Sequence, residues 1–179
     1  MRTLLLLVTT VWAFAQAQTQ TLEVSSQPTM PFPFAGITFT APDSTTTVTA
    51  DKVLKTGKPT VLAFWLTTCG PCQMELAAYA KQYADWQKEM DFQLFAISTD
   101  FRKNFRRIAV RAQEGGWPFP VWWDADRVFM NYLPGGLNGL PQVFLFDQKG
   151  KLVWHHRRYA PGQEALLLEQ LRAVAVARK

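Results

Sequence analysis

The stretch that decides the fold is Phe64-Trp65-Leu66-Thr67-Thr68-Cys69-Gly70-Pro71-Cys72. The apolar run from Thr60 to Leu66 predicts a strand buried on both faces of a sheet. A helical pattern then runs from Gly70 to Lys88. Pro71 suits the first turn of this helix, where its missing N–H would have no partner in any case. The two cysteines therefore lie where a buried strand passes into a helix.

The position of the cysteine pair predicts redox chemistry. Cys69 stands at the helix start, where free backbone N–H groups and the helix dipole favour a thiolate. Residues three apart on a helix have Cβ atoms about 5–6 Å apart, so the first turn can bridge Cys69 and Cys72 with modest adjustment. Closing so short a loop removes little entropy from the unfolded chain. Redox chemistry therefore explains the pair better than stabilisation does, with Cys72 pointing inward.

The remaining pattern predicts a single α/β domain. Strands are predicted at 36–41, 45–49, 92–98, 119–123, 142–146 and 152–156, and helices at 101–114, 125–132 and from Pro161 onward. Early alternation of strands and helices gives parallel strands, and the late hairpin adds antiparallel ones. We expect a mixed central sheet flanked by helices, with an N-terminal β-hairpin ahead of it.

Composition excludes several classes of protein. The chain has 179 residues, 48% of them hydrophobic, and a net charge of +5. This length predicts one domain, and the mild basic excess does not indicate a nucleic-acid partner. With only 2 cysteines, the chain has neither a disulfide framework nor a four-thiolate zinc site.

The N-terminus has the pattern of a secretory signal. Residues 1–17 combine Arg2, an apolar run and alternating alanines that end at Ala17. Residues 18–35, rich in Gln, Thr, Ser and Pro, predict a flexible leader, and 36–179 predict the folded domain. We expect a periplasmic or secreted protein, without a lipid anchor at the cleavage point and without stable membrane insertion after cleavage.

The cysteine motif resembles the active site of thioredoxins. The wider chain is similar to the exported TlpA/ResA-like thioredoxin family. That resemblance rests on the hairpin before the core and on Cys72-Gln73-Met74-Glu75, Gly139-Leu140-Pro141 and residues 144–151. It implies a thioredoxin-like fold over 36–179 and a thiol–disulfide oxidoreductase that uses a redox-active Cys69–Cys72 disulfide and no other cofactor.

The resemblance also implies roles for single residues. Cys69 matches the attacking nucleophile, Cys72 the resolving thiol, and Glu75 a glutamate of ResA-like members implicated in proton handling. Pro141 matches a cis-proline that lets the backbone of Leu140 bind an extended substrate. Further substrate contacts are implied for Trp65, Gly70 and Pro71. The implied partners are disulfide-containing exported proteins, apocytochrome c among them, and an electron donor in the membrane.

Two positions depart from the thioredoxin pattern. Ala63 replaces the buried aspartate that lies six residues before the first cysteine in cytoplasmic thioredoxins, so proton transfer at Cys72 must use Glu75, water or another group. Thr68 replaces the tryptophan that usually precedes the first cysteine, which removes an aromatic part of the substrate surface.

Several alternatives stay open at this stage. The protein could be a dithiol oxidant, a metal carrier or a binding module. A metal site is disfavoured because the 2 histidines, His155 and His156, are adjacent on a strand and so point to opposite faces. Glu75 could be a solvated helix residue and Pro141 an ordinary trans proline. The arginine-rich helix 102–111 is either a solvated face or a docking surface for an acidic partner. Residues Trp117, Trp122 and Trp123 are assigned to packing, although one could line a substrate groove.

Overall fold

The structure is a computed structural model that describes residues 36–43, 45–54, 56–132 and 136–176. The predicted signal at 1–17 and the predicted leader at 18–35 lie outside these residues. The strands are β1 (Thr38–Thr40), β2 (Thr47–Thr49), β3 (Thr60–Trp65), β4 (Gln93–Ser98), β5 (Val121–Trp123), β6 (Gln142–Phe146) and β7 (Leu152–Arg157). The helices are α1 (Ala50–Leu54), α2 (Gly70–Glu89), α3 (Phe105–Gly115), α4 (Phe129–Tyr132) and α5 (Glu164–Val176).

One 7-stranded sheet organises these elements, in the order β2-β1-β5-β4-β3-β6-β7. Strands β3, β4 and β5 are parallel, whereas β6 runs antiparallel to β3 and β7 antiparallel to β6. The hairpin β1–β2 is joined to the sheet through an antiparallel contact of β1 with β5. The predicted mixed sheet with flanking helices and an N-terminal hairpin is thus confirmed.

The central strands bury side chains on both faces of the sheet. In β3, Ala63 and Trp65 lie in one apolar cluster with residues of α2, α3 and α5, whereas Leu62 and Phe64 lie in a second cluster with residues of α1 and α4. All six residues of β3 are buried, as the continuous apolar run predicted. The strand that leads into the cysteine motif is therefore held from both sides by the core.

Several predicted elements are shorter in the structure: the first two strands are Thr38–Thr40 and Thr47–Thr49, the helix predicted at 101–114 begins at Phe105, and the last helix begins at Glu164. Two further elements begin late for a local reason. Strand β5 begins at Val121 rather than at residue 119, because Pro118 and Pro120 cannot donate backbone hydrogen bonds. Helix α4 begins at Phe129 rather than at residue 125. Arg127 has a positive φ of 54°, and the Asp124 carboxylate accepts hydrogen bonds from the backbone N–H groups of residues 128 and 129. The chain therefore turns before the helix can start.

None of the helices in the described residues combines the length and the apolar character needed to cross a membrane.

Truncating Phe64 should strongly destabilise the protein. Its ring is fully buried, stacks on Phe129 and meets Phe144 edge to face. We expect Phe64→Ala to lower the free energy of unfolding by about 3–5 kcal/mol, measured by urea titration. Phe101→Ala is the matched control, since this ring is 57% exposed, and it should cost about 1 kcal/mol or less. Equal losses in the two variants would contradict the two-sided core described above.

Candidate active site

Cys69 and Cys72 form a disulfide at the start of α2, with an S–S distance of 1.96 Å and Cα atoms 5.3 Å apart. Cys69 caps the helix, and its Sγ accepts a hydrogen bond from the backbone N–H of Cys72 at 3.3 Å. Cys69 is partly exposed, whereas Cys72 is completely buried. Of these two residues, only Cys69 is accessible from solvent.

The turn before Cys69 is held by a buried carboxylate. Asp100 accepts hydrogen bonds from the backbone N–H and the Oγ1 hydroxyl of Thr67, both at 2.8 Å. Ser98 Oγ donates a third hydrogen bond to Asp100 at 2.9 Å, and the indole Nε1 of Trp123 donates to the Asp100 backbone oxygen at 2.8 Å. Asp100 follows β4, so it ties the end of that strand to the turn that follows β3.

A second contact secures the same turn from the helix side. Gln73 Nε2 donates a hydrogen bond to the Thr67 backbone oxygen at 2.9 Å. Thr67 thus uses its N–H, its hydroxyl and its carbonyl oxygen in the network. Because Thr67 lies two positions before Cys69, these bonds set the direction in which the chain enters the helix.

Glu75 lies one turn after Cys72 on the inward face of α2 and is only 1% exposed. The Tyr79 hydroxyl donates a hydrogen bond to Glu75 Oε1 at 3.1 Å. Burial raises the pKa of Glu75 from 4.5 to about 8, and the hydrogen bond from Tyr79 offsets only part of this rise. Glu75 is therefore not a solvated helix residue but a carboxyl group that stays mainly protonated at neutral pH.

The loop opposite the cysteines contains a cis peptide bond between Leu140 and Pro141. Pro141 directly precedes Gln142, which pairs with Phe64 near the end of β3. The cis bond therefore lies at the same end of the sheet as the disulfide. Pro141 itself is buried, and Leu140 is half-buried.

Gln142 anchors this loop from inside the sheet. It is fully buried, and its Nε2 donates to the Gly139 backbone oxygen at 2.9 Å. Its Oε1 lies 2.9 Å from Nε2 of His155, whose ring stacks on Phe144. Burial is the main reason that the pKa of His155 falls to about 4, so this ring is neutral at neutral pH and can donate its Nε2 proton to Gln142.

The other residues expected at the substrate surface differ in their exposure to solvent. Gly70 and Pro71 are exposed beside Cys69, and Thr68 is exposed just before it. Trp65 is fully buried, and its ring packs edge-on against Trp117 with centroids 4.8 Å apart. Its side chain thus supports the site from beneath, which differs from the substrate contact that the sequence suggested.

Two questions from the sequence concern Ala63, at the position where thioredoxins carry an aspartate, and the two histidines as possible metal ligands. Ala63 is buried in the same apolar cluster as Cys72, so its position offers no ionisable group. His155 contacts Phe144, whereas His156 stacks with Trp154 in the other apolar cluster, so the two rings do point to opposite faces. Within the described residues, no group of three or more His, Cys, Asp or Glu side chains is placed to hold a metal.

Comparison with known families agrees with this geometry. The sequence profile of the AhpC/TSA family matches residues 35–155. The chain belongs to the AhpC/TSA family. This match covers β1 to β7 almost completely and includes both cysteines, Glu75 and Pro141.

Two relatives are similar in sequence to about half of this chain. The thiol-disulfide oxidoreductase ResA of Geobacillus thermodenitrificans (strain NG80-2) is 34% identical over 98 residues, which are 54% of this chain and 52% of that protein. The thioredoxin-like protein YneN of Bacillus subtilis (strain 168) is 28% identical over 97 residues, or 52% of this chain and 53% of that protein. The chain thus spans about half the length of these relatives.

Solved structures confirm the thioredoxin-like fold. A thioredoxin-like protein from Porphyromonas gingivalis has a TM-score of 0.68 and 32% identity, covering 78% of this chain and 90% of that one. A thiol:disulfide interchange protein DsbE from Chlorobium tepidum has a TM-score of 0.65 and 23% identity, covering 77% and 92%. The predicted kinship with ResA-like thioredoxins is confirmed.

Asp100 and Gln142 were missed by the sequence analysis. Asp100 lies two residues after the end of β4, and Gln142 is the first residue of β6. Both positions lie at the same end of the sheet strands as the disulfide. Parallel β3 and β4 bring their carboxyl ends together, so Ser98-Thr99-Asp100 directly after β4 was a usable signal. Gln142 was recognisable as the one amide in an otherwise apolar strand.

Replacing Asp100 by asparagine should loosen the turn before Cys69. An amide nitrogen cannot accept the hydrogen bonds that one carboxylate oxygen now accepts, so a buried donor loses its partner. We expect Asp100→Asn to lower the free energy of unfolding by about 1–3 kcal/mol and to slow alkylation of reduced Cys69. Asp126→Asn, at an exposed turn position, is the control and should change neither. An unchanged urea midpoint in Asp100→Asn would contradict the proposed anchoring.

Glu75 should make stability depend on pH. Its pKa is about 8 in the folded chain and near 4.5 when exposed, so the folded state binds more protons between these values. Its contribution is therefore complete below pH 4.5 and is lost as the pH rises through 8. The gain in stability of Glu75→Gln over the wild type should grow by several kcal/mol from pH 5 to pH 8, measured by urea unfolding of the oxidised protein.

Two features make the Glu75 measurement specific. The lowered pKa of His155 gives an opposite slope between about pH 4 and 6.5, but it is common to both proteins and cancels in their difference. Glu169→Gln, on the exposed side of α5, is the control and should follow the wild type at every pH. A constant difference between wild type and Glu75→Gln would contradict the raised pKa.

Proposed function

We propose that this protein is an exported thiol–disulfide oxidoreductase that reduces disulfides of other exported proteins. The observation that carries the proposal is a disulfide at the N-terminus of α2 with one accessible sulfur on Cys69 and one buried sulfur on Cys72. The names of the ResA relatives support the same activity. In this proposal, residues 1–17 are a cleaved signal and 36–179 form the catalytic domain.

The first step is attack by Cys69. In the reduced protein its thiolate lies at the helix start, where the free N–H groups of α2 and the helix dipole stabilise negative charge. The thiolate attacks one sulfur of the substrate disulfide, and a bond forms between that sulfur and Cys69 Sγ. The substrate S–S bond breaks, and its second sulfur leaves as a thiolate that takes up a proton.

The second step is release by Cys72. Its thiol loses a proton, and the thiolate attacks Cys69 Sγ, which restores the Cys69–Cys72 bond and expels the reduced substrate. Two electrons pass from the protein dithiol to the substrate disulfide. The two sulfur atoms carry both electrons, so this exchange requires no bound cofactor.

Glu75 is suited to exchange a proton with Cys72, which it accepts in the minority of molecules whose Glu75 carboxyl group is ionised at neutral pH. It lies at position i+3 on the same helix, where Cβ atoms are about 5–6 Å apart. A carboxyl group with a pKa of about 8 is close in basicity to a free thiol, whose pKa is roughly 8.5, so proton transfer between them costs little free energy. Since Ala63 offers no carboxylate, Glu75 takes the role that an aspartate has in cytoplasmic thioredoxins.

The substrate lies along the cis-proline loop in this proposal. The Leu140 backbone precedes the cis bond at the disulfide end of the sheet and binds an extended segment of substrate. Gly70 and Pro71 border the accessible sulfur. Gln142 and His155 hold the loop from below through the hydrogen bonds described above.

Kinship with ResA-like proteins supports electron flow from this protein to its substrate. We infer reduction of exported proteins, with apocytochrome c as one candidate substrate and a membrane protein as the electron donor that regenerates the dithiol. The alternative, a dithiol oxidant, is decided by the reduction potential of the pair, since a strong oxidant has a much higher potential than a reductant.

Single cysteine variants test the mechanism. Cys72→Ser should accumulate a covalent mixed disulfide between Cys69 and a disulfide-containing protein such as insulin, because the resolving thiol is missing. Cys69→Ser should form almost no adduct and should lose nearly all disulfide-reductase activity. The adduct is measured by non-reducing electrophoresis and mass spectrometry, and circular dichroism shows whether both variants fold.

The pair of variants separates this mechanism from its alternatives. Comparable adducts in both folded variants would contradict the assignment of Cys69 as the nucleophile. Absence of disulfide-reductase activity in the folded wild type as well as in Cys69→Ser would favour a binding module whose cysteines are incidental. Stoichiometric metal in the reduced wild type, together with no exchange activity, would favour a metal carrier.

A further inference from the structure

A groove of about 580 Å³ runs beside the accessible cysteine. One wall is the active-site turn and the start of α2, and the other is helix α3. The lining residues are Thr67, Thr68, Gly70, Gln73, Arg106, Arg107, Val110, Arg111 and Glu114. Gly70 directly follows Cys69 and is open above, since an added Cβ would have no neighbour within 4 Å. The groove is therefore lined by the two chain neighbours of Cys69, Thr68 and Gly70.

Charge is distributed unevenly between the two walls. The wall formed by the active-site turn is neutral, whereas α3 contributes three arginines and one carboxylate. Glu114 is paired with Arg111 at 2.8 Å, so these two charges largely cancel. Arg106 and Arg107 are exposed, and within the part of the chain that the structure describes neither forms an ion pair or a side-chain hydrogen bond. The groove thus holds two uncompensated guanidinium groups.

We propose that this groove binds acidic side chains that flank the reactive disulfide of the protein substrate. The inference rests on the proposed function and adds the chemical class of the substrate segment. A guanidinium binds a carboxylate through two parallel hydrogen bonds, which fixes orientation as well as charge. Val110, which is 52% exposed, gives an apolar contact for the aliphatic part of a glutamate side chain.

The position of the groove sets where the acidic residues must lie. An extended peptide advances about 3.3 Å per residue. A substrate cysteine bound to Cys69 therefore has residues within a few positions of it over Gly70 and towards α3. Arg106 and Arg107 follow each other on the helix, so they contact different substrate positions rather than one. The recognised pattern is a cysteine with two or more acidic residues within a few positions of it.

The contribution is mainly to the rate of encounter and to selection among substrates. Exposed charges steer an oppositely charged partner towards a site, and salt screens this effect. The disulfide exchange itself uses Cys69 and Cys72 alone. Small uncharged disulfides should therefore react at the same rate whether or not the arginines are present.

The experiment uses reduced, full-length mature protein and three peptides with the same intramolecular disulfide. On each side of the disulfide, the first peptide carries four glutamates, the second four glutamines and the third four lysines. The reduced protein is prepared with dithiothreitol and desalted, and single-turnover rate constants are followed by tryptophan fluorescence. Hydroxyethyl disulfide serves as the small uncharged substrate.

The wild type should reduce the glutamate peptide about tenfold faster than the glutamine peptide at low salt, and about twofold faster at 0.5 M NaCl. Arg106→Glu with Arg107→Glu should remove or invert this preference and leave the rate with hydroxyethyl disulfide unchanged. Lys149→Glu with Lys151→Glu is the matched control. It changes net charge equally in the exposed β6–β7 turn, which follows Phe146 at the opposite end of β3, and should keep the preference.

Three results would overturn the inference. Equal rates for the glutamate and glutamine peptides in the wild type would show that the groove does not select acidic segments. If the variant with Lys149→Glu and Lys151→Glu lost the preference to the same extent, only the net charge of the protein would matter. Absence of reaction with every disulfide, the small one included, would contradict the proposed function and the groove assignment together.

Discussion

The hydrogen bonds between Asp100 and Thr67 are the constraint on which the rest of the site depends. Strand β3 ends at Trp65 and helix α2 starts at Gly70, so the chain has only a short turn in which to change direction. Asp100 accepts both the N–H and the hydroxyl of Thr67 in that turn. The consequence is that Cys69 becomes the cap of α2, with its sulfur at the N–H of Cys72. A rigid strand, a fixed turn and a helix end together place one sulfur where backbone dipoles favour its ionised form.

Burial separates the roles of groups that are close in sequence. Cys69 and Cys72 have the same chemistry, yet only the first can be reached from solvent. Glu75 is unfavourable to ionise because it is buried, and the hydrogen bond that it receives from Tyr79 offsets only part of this cost. The fold tolerates a protonated carboxyl group there, and the same desolvation brings its pKa close to that of a thiol. The burial that makes Glu75 unfavourable for stability at high pH is also what suits it to proton transfer in the proposed mechanism.

Two further walls border the accessible sulfur, and in our proposals they recognise different features of a polypeptide. The cis-proline loop, held by Gln142 and His155, presents backbone groups that any extended segment can pair with. Helix α3 presents arginines, which distinguish one sequence from another by charge. Thr68, at the position where thioredoxins carry tryptophan, leaves the turn between these walls open. Selectivity in this protein is therefore assigned to charge rather than to an aromatic surface.

The sequence by itself determined the central strands, helix α2, the hairpin and the cysteine pair. Continuous apolar runs are a local signal for buried strands, and the Cys-Gly-Pro-Cys motif is a local signal for the start of a helix. It also pointed to Glu75 and Pro141, but left a solvated glutamate and a trans proline open. Only the tertiary structure decided that Glu75 is buried, that Trp65 lies beneath the site and that Asp100 and Gln142 hold its two loops. Each of these outcomes depends on contacts between segments far apart in the chain. The same is true of the arginines on α3, whose periodicity indicated an exposed face but whose position beside Gly70 follows from the packing of α3 against α2.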